Sequence, residues 1–207
     1  MIIEVCAESY EYAEKAEKAG ADRIELCKDL HLDGLTPNYK TAKRTIDRLN
    51  IPVFILIRQR EGDFTYSNEE FELMKQDIVK FKEMGCKGIV SGILHDDKTI
   101  DIERTKQLVE LSRPLDFTFH RAFDMVTDPL KELEKLIQLG VDRVLTSGKK
   151  QKAVKGIELL KELKKNAKDK IIIMPGSGIN KSNIMSFKSF NEIHGSFKNE
   201  INTNILL

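Results

Sequence analysis

The chain has 207 residues, 41% of them apolar, with 34 lysines and arginines against 33 aspartates and glutamates. That near-neutral balance, with the basic residues spread along helical stretches, leaves no electrostatic footprint for nucleic acid, and no apolar run is long enough to span a membrane. Length and apolar content suit one domain over residues 1–207. The first strand pattern begins at Ile2 without a basic leader or an apolar signal region, so the expected location is cytoplasmic. Cys6, Cys27 and Cys86, an odd number in such a compartment, read as free thiols.

Taken in order, strand-like apolar runs fall at 2–6, 23–27, 52–58, 88–92, 116–120, 142–147, 170–176 and 191–195. Between them, 9–18, 39–49, 68–84, 102–111, 130–139, 153–164 and 181–187 carry helix formers with apolar residues three or four apart. Eight such alternations predict an α/β protein with a parallel sheet closed into a (β/α)8 TIM barrel. Glycines at Gly20-Ala-Asp-Arg-Ile-Glu25, Gly85-Cys-Lys-Gly-Ile-Val90 and Gly140-Val-Asp-Arg-Val-Leu145 mark helix ends just before strands. Only 196–207 follow the eighth strand, so a short or missing last outer helix is expected. That would leave a flank open to a partner subunit.

The most informative stretch is Asp116-Phe-Thr-Phe-His-Arg-Ala-Phe-Asp124, a strand pattern running into His120, Arg121 and Asp124. Asp128-Pro129 then opens a helix as N-cap and first helical residue. In a parallel barrel, the loops that follow the strands carry the chemistry. Period-two alternation sends Ile3, Val5, Ile24, Leu26 and Ile193 outward, and Glu4, Cys6, Glu25, Cys27, Leu56, Arg58, Thr118, His120, Glu192 and His194 inward. Such a charged interior needs pairing, and Arg58 is the partner assigned to Glu4, Glu25 and Glu192. Glu4, Glu25, Arg58, His120 and His194 are the candidate catalytic groups.

Loops at the same end add an anion-binding set: Arg58, Ser147 and Gly148 after the sixth strand, and Gly176, Ser177 and Gly178 after the seventh. The last three lie just before an expected helix start, where backbone N–H groups can meet an anion. Cys6 and Cys27 take equivalent inward positions on consecutive strands, which lie about 4.8 Å apart. They form a candidate thiolate pair for a soft ion such as Cu(I). Cys86 falls at the opposite end.

The chain resembles the CutC family through Glu4-Val-Cys6, Gly20-Ala-Asp-Arg-Ile-Glu-Leu-Cys27, Gly34-Leu-Thr-Pro37, Ile57-Arg58, Gly62-Asp-Phe64, Thr118-Phe-His-Arg-Ala-Phe-Asp124, Leu145-Thr-Ser-Gly148, Pro175-Gly176 and Glu192-Ile-His194. It differs at Lys149-Lys150 and Gly176-Ser177-Gly178, where the family carries more glycine. The resemblance implies a (β/α)8 barrel, a cytoplasmic homo-oligomer, and copper homeostasis with copper binding. Two functions follow as expectations. One is Cu(I) handling through Cys6 and Cys27. The other is an enzyme acting on a small anionic or phosphorylated molecule, held by Arg58 and the glycine loops, with His120 and Glu4 or Glu25 moving protons.

Overall fold

The computed structural model describes residues 1–202. Its strands are β1 (Ile2–Ala7), β2 (Arg23–Leu26), β3 (Val53–Leu56), β4 (Gly88–Ser91), β5 (Asp116–Phe119), β6 (Arg143–Thr146), β7 (Ile172–Pro175) and β8 (Glu192–Gly195). All pair in parallel, in the order β7-β6-β5-β4-β3-β2-β1-β8. A bridge between Gly176 and His194 joins the two ends of the sheet into a near-closed barrel.

Helices α1 (Tyr10–Lys18), α2 (Tyr39–Arg48), α3 (Asn68–Glu83), α4 (Ile102–Ser112), α5 (Pro129–Gln138) and α6 (Ile157–Ala167) form the outer ring. The first five start where a short polar side chain accepts a backbone N–H: Ser9, Asn38, Ser67, Asp101 and the expected Asp128. Strand residues on the outer face, among them Ile3, Val5, Ile24, Leu26, Phe117 and Ile193, are buried in the main hydrophobic core.

Two expected helices differ. The stretch 181–187 yields only a 3-10 turn, Ile184–Phe187. Its start is diverted into side-chain turns: Ser182 N–H donates to Asn180 Oδ1 at 2.9 Å and Asn180 N–H to Asn183 Oδ1 at 3.0 Å. Such bonds compete with helix hydrogen bonding. The stretch 153–164 opens with a 3-10 turn, Ala153–Gly156, before α6. After β8 a short helix, α7 (Lys198–Asn202), lies beside α1, and Phe197 and Ile201 are buried. The thinnest outer cover is therefore the turn between β7 and β8, where Met185 is 71% exposed.

Inside the barrel, register creates a charged tier. Glu4 stands opposite Arg23 on one side and His194 on the other, and Arg143 stands opposite Thr118. Neighbouring strands are close enough for these side chains to meet. Arg23 donates to Glu4 at 2.5 Å and also to Glu192. Arg143 donates to Glu192 at 3.0 Å and to Asp116 at 3.2 Å. The Phe54 ring lies 4.6 Å from the Arg23 guanidinium and 5.1 Å from that of Arg143. Gly88 makes the room, because a Cβ there would sit 2.5 Å from that ring. Arg58, the partner assigned from the sequence, takes no part in this tier.

Removing one member of a buried ion pair strands its partner, at a cost of about 3–5 kcal/mol. Urea denaturation should therefore show Glu192→Gln destabilised by about that amount. Glu11→Ala, which breaks the exposed pair with Arg44, should change stability by less than about 1 kcal/mol.

Candidate active site

Above the paired tier, at the carboxyl-terminal mouth, His194 Nδ1 lies 2.8 Å from Glu4 Oε1. Burial works against charge on Glu4, but Arg23 and His194 outweigh it and hold its carboxyl at about 2. Glu25 has no such partner, and burial pushes it up to about 7 against the pull of the His194 charge. Burial also disfavours a proton on His194. The charge of Glu25 and hydrogen bonds with Cys6 and Glu4 override it, raising His194 well above the usual imidazole value. One atom each of Glu4, Glu25 and His194 lies within 4.8 Å of the other two. Glu4 already faces Arg23 and His194, so this trio forms a proton-sharing cluster on a base of paired charge.

Across the mouth, His120 caps the 3-10 turn Arg121–Met125. Its Nδ1 accepts the Ala122 backbone N–H at 3.3 Å. An accepting Nδ1 carries no proton, so the ring is neutral and its hydrogen is on Nε2. Burial, then Arg58 and Arg121, hold the imidazole pKa down at about 3. His120 thus offers Nε2–H as a hydrogen-bond donor. Gly92 allows the ring its position, since a Cβ there would lie 2.7 Å from Nδ1.

Arg58 reaches the same mouth with its fork already engaged. Nη1 donates to the carbonyls of Leu32 at 2.8 Å and Gly34 at 3.0 Å, and Nη2 to that of Gly62 at 3.2 Å. Phe64 packs against both Arg58 and His120, 5.0 Å from the guanidinium and 4.9 Å from the imidazole, centre to centre. Arg58 therefore pins two loops, and among the described residues Nε is its one nitrogen without a partner.

Asp124 behaves as an internal anion. Its carboxylate accepts from Arg121 Nε at 2.9 Å, Thr146 Oγ1 at 2.6 Å, Ser147 N at 3.0 Å, Ser147 Oγ at 2.9 Å and Lys149 N at 3.0 Å. Gly148 N–H donates to Thr146 Oγ1 at 3.0 Å. The backbone N–H groups expected to meet an anion at Ser147 and Gly148 are thus taken within the chain, the first by Asp124 and the second by Thr146. Gly176 N–H is held by the Thr146 carbonyl, while Ser177 and Gly178 line the mouth. No α-helix follows them, so no helix dipole adds to that loop.

Glu25, Arg58, His120, Arg121, His194, Cys6 and Cys27 all line one cavity of about 390 Å³. Three buried atoms of residues that line it have no hydrogen-bond partner among the described residues: Glu25 Oε2, Arg58 Nε and His120 Nε2. A buried polar atom left unpaired costs about 1–3 kcal/mol, so three around one cavity form a pattern that a polar ligand would complete. Cys6 and Cys27 both face this space, and burial, then Cys6 and Glu25, push the Cys27 thiol far up. Cys86 is buried in the main core.

Arg23 and Arg143 are the residues the inward set lacks, although Arg23 has the same parity as Glu25 and could have been found by extending the alternation. Arg121 lies in the loop after β5, where it forms an ion pair with Asp124. Long-range ¹H–¹⁵N spectra should show His120 as the neutral Nε2–H tautomer from pH 8 down to pH 5. Because its folded value of about 3 lies below the ordinary 6.5, the imidazole withdraws stability as pH falls below 6.5. A protonated His120 at pH 6 would contradict the assigned geometry.

The CutC family model matches residues 1–199. A human protein named copper homeostasis protein cutC homolog is 48% identical over 183 residues, covering 88% of this chain and 67% of that protein. A family protein CutC of Photorhabdus laumondii is 46% identical, covering 94% of this chain and 79% of its own length. The crystal structure of CutC from Streptococcus agalactiae superposes with a TM-score of 0.89 at 31% identity, covering 95% of this chain and 98% of that one. The eight-stranded barrel and these matches together place the chain in the CutC family.

Proposed function

We propose that this protein binds a small anionic molecule in the barrel mouth and moves a proton on it. The observation that carries the reading is the convergence of Glu25 Oε2, Arg58 Nε and His120 Nε2, buried and unpartnered, on residues lining one cavity. Arg58 and His120 supply donors, Ser177 and Gly178 supply backbone at the rim, and Glu25 with His194 supplies a proton store. This arrangement joins a wall that attracts negative charge to a wall that exchanges protons. A cytoplasmic, self-associating barrel is the setting this reading takes.

A second reading, Cu(I) binding, is favoured by one observation: Cys6 and Cys27 line the same mouth, with Cys6 hydrogen-bonded to His194. Two thiols and an imidazole suit a soft ion. The buried Cys27 thiol resists deprotonation, and metal binding would have to displace its proton. Copper homeostasis, the role named for the human relative, would on this reading run through these two sulfurs.

Titration with sulfate, phosphate and malonate, followed by amide NMR, tests the first reading. Saturable shifts at Gly34, Ala122, Ser177 and Gly178 are expected. His120→Ala should weaken affinity about tenfold, the value of one hydrogen bond to a charged group. Unmoved mouth amides at millimolar anion would remove the reading. For copper, competition against a Cu(I) chelator under reducing conditions should show the Cys6→Ser/Cys27→Ser variant losing the ion. Equal retention by the variant would remove the thiol site.

A further inference from the structure

We propose that the molecule taken in the mouth is a small 2-oxo acid, that Glu25 removes a proton from the carbon beside its keto group, that His120 and Arg58 hold the resulting enolate oxygen, and that Arg121 binds the carboxylate. This rests on the anion-pocket reading above and narrows it to one reaction class.

The roles follow from what each side chain still has to offer. His120 can only donate, since Nδ1 is occupied by the Ala122 N–H and Nε2 is the buried atom without a partner. Arg58 likewise offers Nε–H, on its one nitrogen without a partner among the described residues, while Nη1 and Nη2 are anchored on Leu32, Gly34 and Gly62. Two buried donors on one wall suit an oxygen that gains negative charge during the reaction. A neutral imidazole N–H beside a barrel carboxylate is a known way to polarise a carbonyl while the carboxylate takes the proton. Glu25 differs from Glu4 in this respect. Arg23 and His194 bind the Glu4 oxygens, whereas Glu25 Oε2 has no donor and is the carboxylate free to act as a base.

Arg121 completes the set. Its Nε is fixed on Asp124 at 2.9 Å, and that carboxylate is itself held by Thr146, Ser147 and Lys149. Beyond that bond its guanidinium has only Ser147 Oγ at 3.4 Å among the described residues, and the side chain lines the cavity. The fork that Arg58 has committed to loop carbonyls is therefore still available on Arg121, and a planar carboxylate is the group it suits.

The step balances without a co-reactant. The C3–H bond breaks and its electron pair forms the C2–C3 double bond. The carbonyl pair moves onto the oxygen facing His120 and Arg58, and the proton goes to Glu25. Reversal returns a proton from Glu25 to C3. In D2O the returning particle is a deuteron.

Pyruvate and 2-oxobutyrate incubated with the full chain in D2O, with C3–H signals followed by ¹H NMR, give the test. Wash-out should exceed the buffer rate, and Glu25→Gln should slow it by about 100-fold, the scale of a lost general base, while still binding pyruvate. Arg121→Ala should weaken pyruvate binding by about tenfold. If Glu25→Gln fails to fold, Glu25→Asp replaces it, and reduced exchange with binding retained is the supporting result. Saturable pyruvate binding with exchange no faster than buffer overturns the proposal. So does wild-type exchange in either Glu25 variant. Sulfate or malonate binding without 2-oxo acid exchange sinks this inference and leaves the anion pocket standing. No anion binding at all sinks both.

Discussion

Glu192 lies between two guanidiniums, Arg23 and Arg143, and the mouth depends on that contact. Two buried carboxylates, Glu4 and Glu192, and two buried arginines make a tier with no net charge, so the cost of desolvating each ion is offset by its neighbours. Without Arg23, Glu4 would lose the largest of the interactions that favour its charged form and would depend on His194 alone. The tier also sets geometry: Phe54 packs against both guanidiniums, and Gly88 gives its ring room.

From this base the two walls of the mouth acquire opposite characters. On the β1, β2 and β8 side, two titratable groups, Glu25 and His194, stand beside two thiols. On the β3 and β5 side, Arg58 and His120 present donors against the Phe64 ring. The loops that carry these donors are tied down by groups of a kind that also binds ligands. Arg58 binds three loop carbonyls, and Asp124 fills the amide cradle after β6. Preorganisation is the result: donor directions are set before any ligand arrives, which is where electrostatic stabilisation gains its strength.

Much of this was legible in the residues. Alternation of strand and helix patterns predicts the barrel, and parity within β1, β2, β5 and β8 places Glu4, Cys6, Glu25, Cys27, His120 and His194 inward. Asp128 and the glycines at 20, 85 and 140 mark element ends where the structure has them. What could not be read was the choice of partner. Parity says that Arg58 faces in, but not that its fork is occupied by Leu32, Gly34 and Gly62, because those carbonyls come from loops whose path is a tertiary outcome. The neutral state of His120 was hidden for the same reason, since it depends on one backbone N–H two residues on. The stretch 181–187 reads as helix because Lys181, Ile184, Met185 and Phe187 can occupy one, whereas the side-chain turns of Asn180, Ser182 and Asn183 that redirect it leave no periodic signal.

The lower tier neutralises itself and leaves Glu25, Arg58 and His120 lining one space. A high-resolution crystal structure of the protein grown with oxalate should show an anion with oxygens within hydrogen-bond distance of Arg58 Nε and His120 Nε2, Glu25 outside any ion pair with arginine, and Glu192 still held by Arg23 and Arg143. Glu25 paired with Arg58, or oxalate bound only outside the mouth, would overturn this arrangement.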